Sequence, residues 1–136
     1  MGFLGHRYIY VPRVAVPPLT GMLSRETVHV GDRDRTFATY APASLPPHPP
    51  LLLAFHGSGE TGEGLRAHSG YAFDRVADRA GFVVVYPDGF ERHWDDCRRA
   101  ASYSARTLRI DDEGFVRAQS DYHEPIGPGF WERNST

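Results

Sequence analysis

The sequence holds one cysteine, Cys97, so no disulfide can close within it and no cluster of thiolates can bind a metal. It has no strong excess of either charge: 15 basic residues stand against 17 acidic ones, and the arginines are scattered rather than gathered on one face. A nucleic-acid footprint is therefore not expected. Apolar runs of the roughly 18 residues that a membrane-spanning helix requires are missing. The opening segment, MGFLGHRYIYVPRVAVPP, is broken by Pro12, Pro17 and Pro18 and lacks the continuous apolar stretch of a secretory signal. His6 stands where a myristoylation pattern needs Ser or Thr. Internal repeats and sustained low-complexity segments are also lacking.

The residues that are present read as an α/β protein. Its 136 residues, 40% hydrophobic, suit a single globular domain, although doubly wound α/β domains run to roughly 200–250 residues. Residues 1–24 read as an irregular extension. From Glu26 to Ala41, TVHV and TFATYA flank the polar GDRDR, which predicts a β-hairpin. The connector PASLPPHPP, residues 42–50, forbids helix and central strand alike. LLLAF, residues 51–55, and FVVVY, residues 82–86, are short continuous apolar runs of the kind buried on both faces of a parallel sheet. Between them Ser69 is placed to cap a helix with Ala72, Phe73, Val76, Ala77 and Ala80 at helical spacing and Gly81 just past its end. Strand, helix and strand make one βαβ unit. Residues 90–110 show no clean period and read as a surface excursion. Asp111 and Asp112 open a second helix, since acidic residues suit a helix N-terminus. The pattern stops at about Gln119, because Pro125, Gly127, Pro128 and Gly129 crowd the next ten positions. The expected organisation is an extension (1–24), the α/β segment (25–119) and a divergent, disordered tail (120–136). The sequon Asn134-Ser135-Thr136 carries little weight.

The chemically informative motif is His56-Gly57-Ser58-Gly59, after the first buried strand. In acyl transfer a carbonyl oxygen becomes an oxyanion, and each preorganised backbone N–H aimed at it lowers the barrier by about 3–4 kcal/mol. Glycines let the backbone reach the substrate. The Ser58 amide is the expected donor, with Gly57 or Gly59 as less favoured sources, and His56 is expected to order the loop by hydrogen bonding. The Ser58 hydroxyl is not read as the nucleophile, because G-x-S-x-G fails at His56 and Glu60. A rival reading takes Gly57, Gly59 and Gly62 as G-x-G-x-x-G of a dinucleotide-binding βαβ module, with Asp88 on the ribose. Against it, the helix signals start only near Ser69, too far from the glycines to face a pyrophosphate. Glu63 stands where a Walker A lysine must be. The blandest reading is a flexible glycine-rich connection.

The run LLLAFHGSGETGEG, then ADRAGFVVVYPDG, then Trp94-Asp95-Asp96-Cys97-Arg98 and finally IDDEGF resembles the polyhydroxybutyrate depolymerase and feruloyl esterase-like family, the group with LpqC-type lipoproteins, over roughly residues 33–119. The resemblance implies the N-terminal portion of an α/β-hydrolase three-layer sandwich, a hairpin plus a βαβ unit, and therefore an incomplete fold. It implies serine esterase chemistry on polyester, feruloyl or related ester substrates, without cofactor or metal, and export to the extracellular space or envelope. It maps its loop donor onto Ser58 and its tryptophan and cysteine onto Trp94 and Cys97. Trp94 is expected first as a packed loop aromatic and second as a substrate contact. Cys97 is expected to be structural.

In this fold the triad runs in the order Ser, Asp or Glu, His, after the oxyanion strand and its helix. None of the chain's serines stands in G-x-S-x-G, and His68, His93 and His123 precede any elbow, so no nucleophile, acid or base is assigned. Three outcomes are open: a truncated or frame-shifted, inactive chain, which the loss of pattern after Gln119 favours; a fragment completed by a separate C-terminal half; or a non-enzymatic interaction module using an unpaired strand edge.

Overall fold

The computed structural model describes residues 15–96 and 102–123. Strands β1 (Met22–Val30) and β2 (Arg33–Ala41) form an antiparallel hairpin in register from Met22 opposite Ala41 to Val30 opposite Arg33. The tight turn needs Gly31 at φ 63°, a conformation that costs glycine little. β1 begins three residues inside the stretch that reads in sequence as the extension. β2 then pairs antiparallel with β4 (Val83–Pro87), and β4 pairs parallel with β3 (Leu51–Leu53). The sheet order is β1-β2-β4-β3. β4 is central, so Val83, Val84, Val85 and Tyr86 are wholly buried on both faces. Each such side chain stabilises the fold by about 1.5–3 kcal/mol over its exposed state.

Alternation along β2 and β4 sends successive side chains to opposite faces. Ala38, Tyr40, Val84 and Tyr86 meet Ala77 of α2 (Ala72–Ala80) and Leu65 of α1 (Gly62–His68) on one face. Phe37, Ala41, Val83 and Val85 meet Phe115 of α4 (Asp112–His123) on the other. Helices thus cover both faces, and the expected α/β layering of hairpin plus βαβ unit is present.

Two polar networks, one buried at Asp74 and one nearer the surface at Asp78, pin α2 to the sheet. Tyr86 donates to Asp74 Oδ1 at 2.6 Å, and Arg66 Nε donates to Asp74 Oδ2 at 2.6 Å. Burial pushes the Asp74 carboxyl above its ordinary range, against those two bonds, and burial beside Asp74 drives the Tyr86 phenol upward too. Tyr40 donates to Asp78 Oδ1 at 2.6 Å, and Thr20 donates from both its N–H and its hydroxyl. Burial opposes ionisation of Asp78, but these hydrogen bonds outweigh it and hold the carboxyl below its usual value.

Several sequence expectations are revised. The loop after β3 contains a helix, α1, whose N-cap is Thr61, accepting from the Gly64 N–H. Two glycines in its first turn hide it from propensity, and packing against β4 holds it. Ser69 closes α1 and does not open α2, which begins after Tyr71 in the left-handed region at φ 59°. Gly81 ends α2 as expected, at φ 76°. β3 is shorter than LLLAF and, as the edge strand of the described sheet, leaves Leu52 and Phe55 exposed instead of burying both faces as the sequence suggests; the Ala54 N–H still donates to Val85 O at 2.9 Å. The excursion at 90–110 carries a short helix, α3 (Ser104–Thr107). Asp111 caps α4 through the Gly114 N–H at 2.7 Å, and α4 runs on to His123, past the expected stop at Gln119. Cys97, the sequon and residues 124–136 lie outside the described residues. Among those described, no helix is long and apolar enough to cross a membrane.

Candidate functional site

β3 and β4 run parallel, so their C-terminal ends deliver the loops 54–61 and 88–96 to the same edge of the sheet, where open α/β sheets bind ligands. The loops are joined by four hydrogen bonds. Gly89 N–H donates to His56 Nε2 at 2.9 Å, and Trp94 Nε1 donates to His56 O at 3.0 Å. Gly59 N–H donates to Arg92 O at 2.9 Å, and Ser58 Oγ lies 2.8 Å from His93 Nδ1.

His56 is 3% exposed, and both ring nitrogens are engaged. Because Nε2 accepts from Gly89, the ring proton sits on Nδ1 and is donated to Gly57 O at 2.7 Å. With both ring nitrogens engaged, the imidazole has no free lone pair to serve as a base and links the Gly89 amide to the Gly57 carbonyl. Trp94 stacks obliquely on His56 at 4.8 Å and meets the edge of Phe55 at 5.2 Å, so its indole is half-buried and committed to this loop.

Gly57, Ser58 and Gly59 are exposed. The Gly59 N–H is consumed by Arg92 O, whereas among the described residues the Gly57 and Ser58 N–H groups have no acceptor. Of the three amides expected from sequence, two are thus available to a ligand.

Asp88 is the hub that sequence reading placed only as a ribose ligand. Its Oδ1 accepts from Gly62 N–H at 2.9 Å, its Oδ2 accepts from the Thr36 hydroxyl at 2.8 Å, and its carbonyl accepts from Arg35 at 3.2 Å. Here the dinucleotide reading meets a correction in its own grounds: α1 does begin at Gly62, close behind the glycines. A Cβ on Gly62 would fall 2.4 Å from Tyr86 O, so that glycine serves close helix-to-strand packing. The amides a pyrophosphate would need are nevertheless occupied, Gly62 by Asp88 and Gly64 by Thr61, and a carboxylate sits where the phosphate charge would go. Sequence reading missed His93 as a loop partner; the Pro87-Asp88-Gly89 turn signalled the loop's position but not that its next residues bond back to 56–59.

Asp112 accepts from Arg35 and from the Asp95 N–H at 2.7 Å, and Asp111 is a cap; both are structural at the helix start. Among the described residues no cluster of three His, Cys, Asp or Glu side chains converges to hold a metal. A cleft of about 390 Å³ opens beside Leu51, Val83, Asp121 and His123, at the N-terminal ends of the parallel strands. It lies at the other end of the sheet from the His56–Gly59 loop, so the loop and not the cleft is the candidate site.

No family model matches the chain. It is 35% identical over 104 residues to the candidate esterase NocK of Nocardia uniformis subsp. tsuyamanensis, covering 72% of this chain and 28% of NocK. It is 40% identical over 55 residues to the bifunctional acetylxylan esterase/xylanase XynS20E of Neocallimastix patriciarum, covering 40% of this chain and 8% of that protein. A solved ferulic acid esterase aligns with TM-score 0.46 at 16% identity, over 81% of this chain and 47% of that one. The chain spans less than a third of the length of the two relatives it matches in sequence. Over the shared stretches it is related to esterases.

Proposed function

We propose that this chain carries the oxyanion-hole loop of a serine-type carboxylic ester hydrolase. The observation that carries the reading is the Ser58 N–H: exposed, without an acceptor among the described residues, and set in a loop held by four hydrogen bonds to its neighbour. A donor fixed before substrate arrives needs no reorganisation as negative charge develops on the carbonyl oxygen. Gly57 N–H is the second available donor. His56 and Trp94 hold the loop in shape, and Trp94 also offers an aromatic edge to a substrate.

The nucleophile, its base and the orienting acid are supplied in this reading by polypeptide other than these residues, since no serine here stands in G-x-S-x-G. Esters of the polyester or feruloyl type are the proposed substrates, with acetylated polysaccharide, the substrate that XynS20E's name gives, as a related class. The chain by itself is proposed not to turn over esters, and its activity to require that complement.

The test is a chimera in which this chain replaces the matching stretch of NocK, assayed with p-nitrophenyl butyrate. Turnover sensitive to a serine-directed phosphonate is expected, and Ser58→Pro, which removes the N–H, should lower kcat by about 10²–10³-fold. An unchanged kcat in Ser58→Pro, with circular dichroism confirming the fold, would overturn the assignment.

A further inference from the structure

The Ser58 hydroxyl is not needed for the amide's role, yet it is held 2.8 Å from His93 Nδ1, within the reach that links a nucleophile to its base. The His93 ring is held by a stack on Tyr103, centroids 3.7 Å apart and planes within 8°, and its backbone N–H donates to Phe90 O at 3.0 Å. In the Nε2–H tautomer the imidazole can only accept at Nδ1, so the Ser58 O–H must point at it. Ser58 is exposed, the neighbouring Gly57 and Ser58 N–H groups lack acceptors among the described residues, and a Cβ added at Gly57 would meet nothing within 4 Å, so a carbonyl has room to approach.

We infer that Ser58 and His93 form an acyl-accepting dyad for activated carboxylic esters, distinct from the elbow nucleophile of the proposed hydrolase although it draws on the same Gly57 and Ser58 N–H groups. Ser58 Oγ attacks the ester carbonyl while its proton passes to His93 Nδ1; the new Oγ–C bond forms, the carbonyl π pair moves to oxygen and is met by the free N–H groups. The pair returns, the bond to the leaving oxygen breaks, and an aryl oxide departs with its electron pair while His93 gives up the proton. The products are acyl-Ser58 and a phenol or phenolate. No oxidant or cofactor is required. The sequence contains no lysine, so no ε-amine competes for the acyl group.

The test is incubation of the whole chain, in a Cys97→Ser background so that sulfur cannot take the label, with p-nitrophenyl acetate. Peptide mass spectrometry then locates the acetyl group. One acetyl per chain on Ser58 is expected, absent in Ser58→Ala, and formed about 10²-fold more slowly in His93→Gln, the scale of a lost general base. Thermal melting of each variant reports on the fold. If Ser58 stays unmodified, or His93→Gln acylates as fast as the parent, the Oγ–Nδ1 bond is a tether between loops and the inference falls. An inactive chimera with Ser58 still acylated defeats only the elbow reading; an active chimera with Ser58 unmodified defeats only this one.

Discussion

Arg35 Nη2 lies 2.8 Å from Asp112 Oδ1, joining β2 to the first residue of α4 across 77 positions of sequence. The guanidinium is 4% exposed and sits over the Phe115 ring at 4.2 Å, so the arginine is shut away from water between the sheet and α4, while Asp112 keeps partial contact with solvent. Removing one partner of such a pair leaves an unmatched buried charge, which costs about 3–5 kcal/mol, whereas removing both for apolar side chains is close to neutral. Arg35→Met should therefore destabilise by about 3 kcal/mol, the lower end because Asp112 keeps the Asp95 N–H. The double variant Arg35→Met, Asp112→Leu should recover most of that loss. Urea unfolding of the four species checks it, and strictly additive losses would contradict the pairing.

Gly62 and Gly57 should answer alanine differently. A Cβ on Gly62 falls 2.4 Å from Tyr86 O, a backbone atom of the central strand, while a Cβ on Gly57 meets nothing within 4 Å. Overpacking of this kind costs about 1–3 kcal/mol. Gly62→Ala is expected to lower Tm by several degrees and Gly57→Ala to leave it almost where it was; equal shifts would show that α1 does not lie against β4 as described.

His56→Phe should loosen the candidate site without unfolding the sheet. It strands the part-buried Gly89 N–H and leaves the Gly57 carbonyl with the Glu60 N–H alone, and an orphaned donor costs about 1 kcal/mol or more where it is shielded from water. The Trp94 indole, which stacks on His56, reports the change: a red-shifted and more quenchable emission is expected. Unaltered emission would mean that the ring contact does not hold the loop.

His123 should make stability fall on mild acidification. Burial lowers its pKa below the ordinary 6.5, opposed by its bond to Gln119 O and by the charge of Glu26. Nδ1 donates to Gln119 O at 2.6 Å, so Nε2 accepts from the Thr39 hydroxyl at 3.0 Å and the ring is neutral in the fold. With the folded value depressed, the contribution is whole above about pH 6.5 and is lost as pH falls through the folded value. Unfolding free energies measured from pH 7.5 to 5 should decline for the parent and decline less for His123→Phe. Parallel curves would remove His123 from the account.

The fold's layout is legible in sequence wherever a local pattern and its environment agree. The run around Val83 is apolar because both faces of β4 are covered, and Gly81 stops α2 because glycine accepts φ 76°, whereas the equally apolar run at Leu51 forms an edge strand with Leu52 exposed. α1 is hidden because Gly62 and Gly64 suit close packing and capping better than helix propensity, although Thr61, Glu63 and Arg66 mark its ends. The end of α4 is hard to place because Phe115, Gln119 and His123 recur every four residues on its buried side while polar neighbours blur the stripe. At the site, His56 to Gly59 can be read as a loop with free amides. Which amide is free cannot, because that depends on Arg92 and His93, whose contact with Gly59 and Ser58 arises from β3 and β4 lying side by side.

The four bonds between residues 56–59 and 89–94 also set how this end of the molecule moves. Two loops more than thirty positions apart in sequence must open together, since neither can swing out while the other holds its amides and its imidazole. Their backbone protons should exchange with solvent deuterium at matched opening free energies. A molecule seated on Ser58 should then slow exchange at Gly89, a residue it never touches.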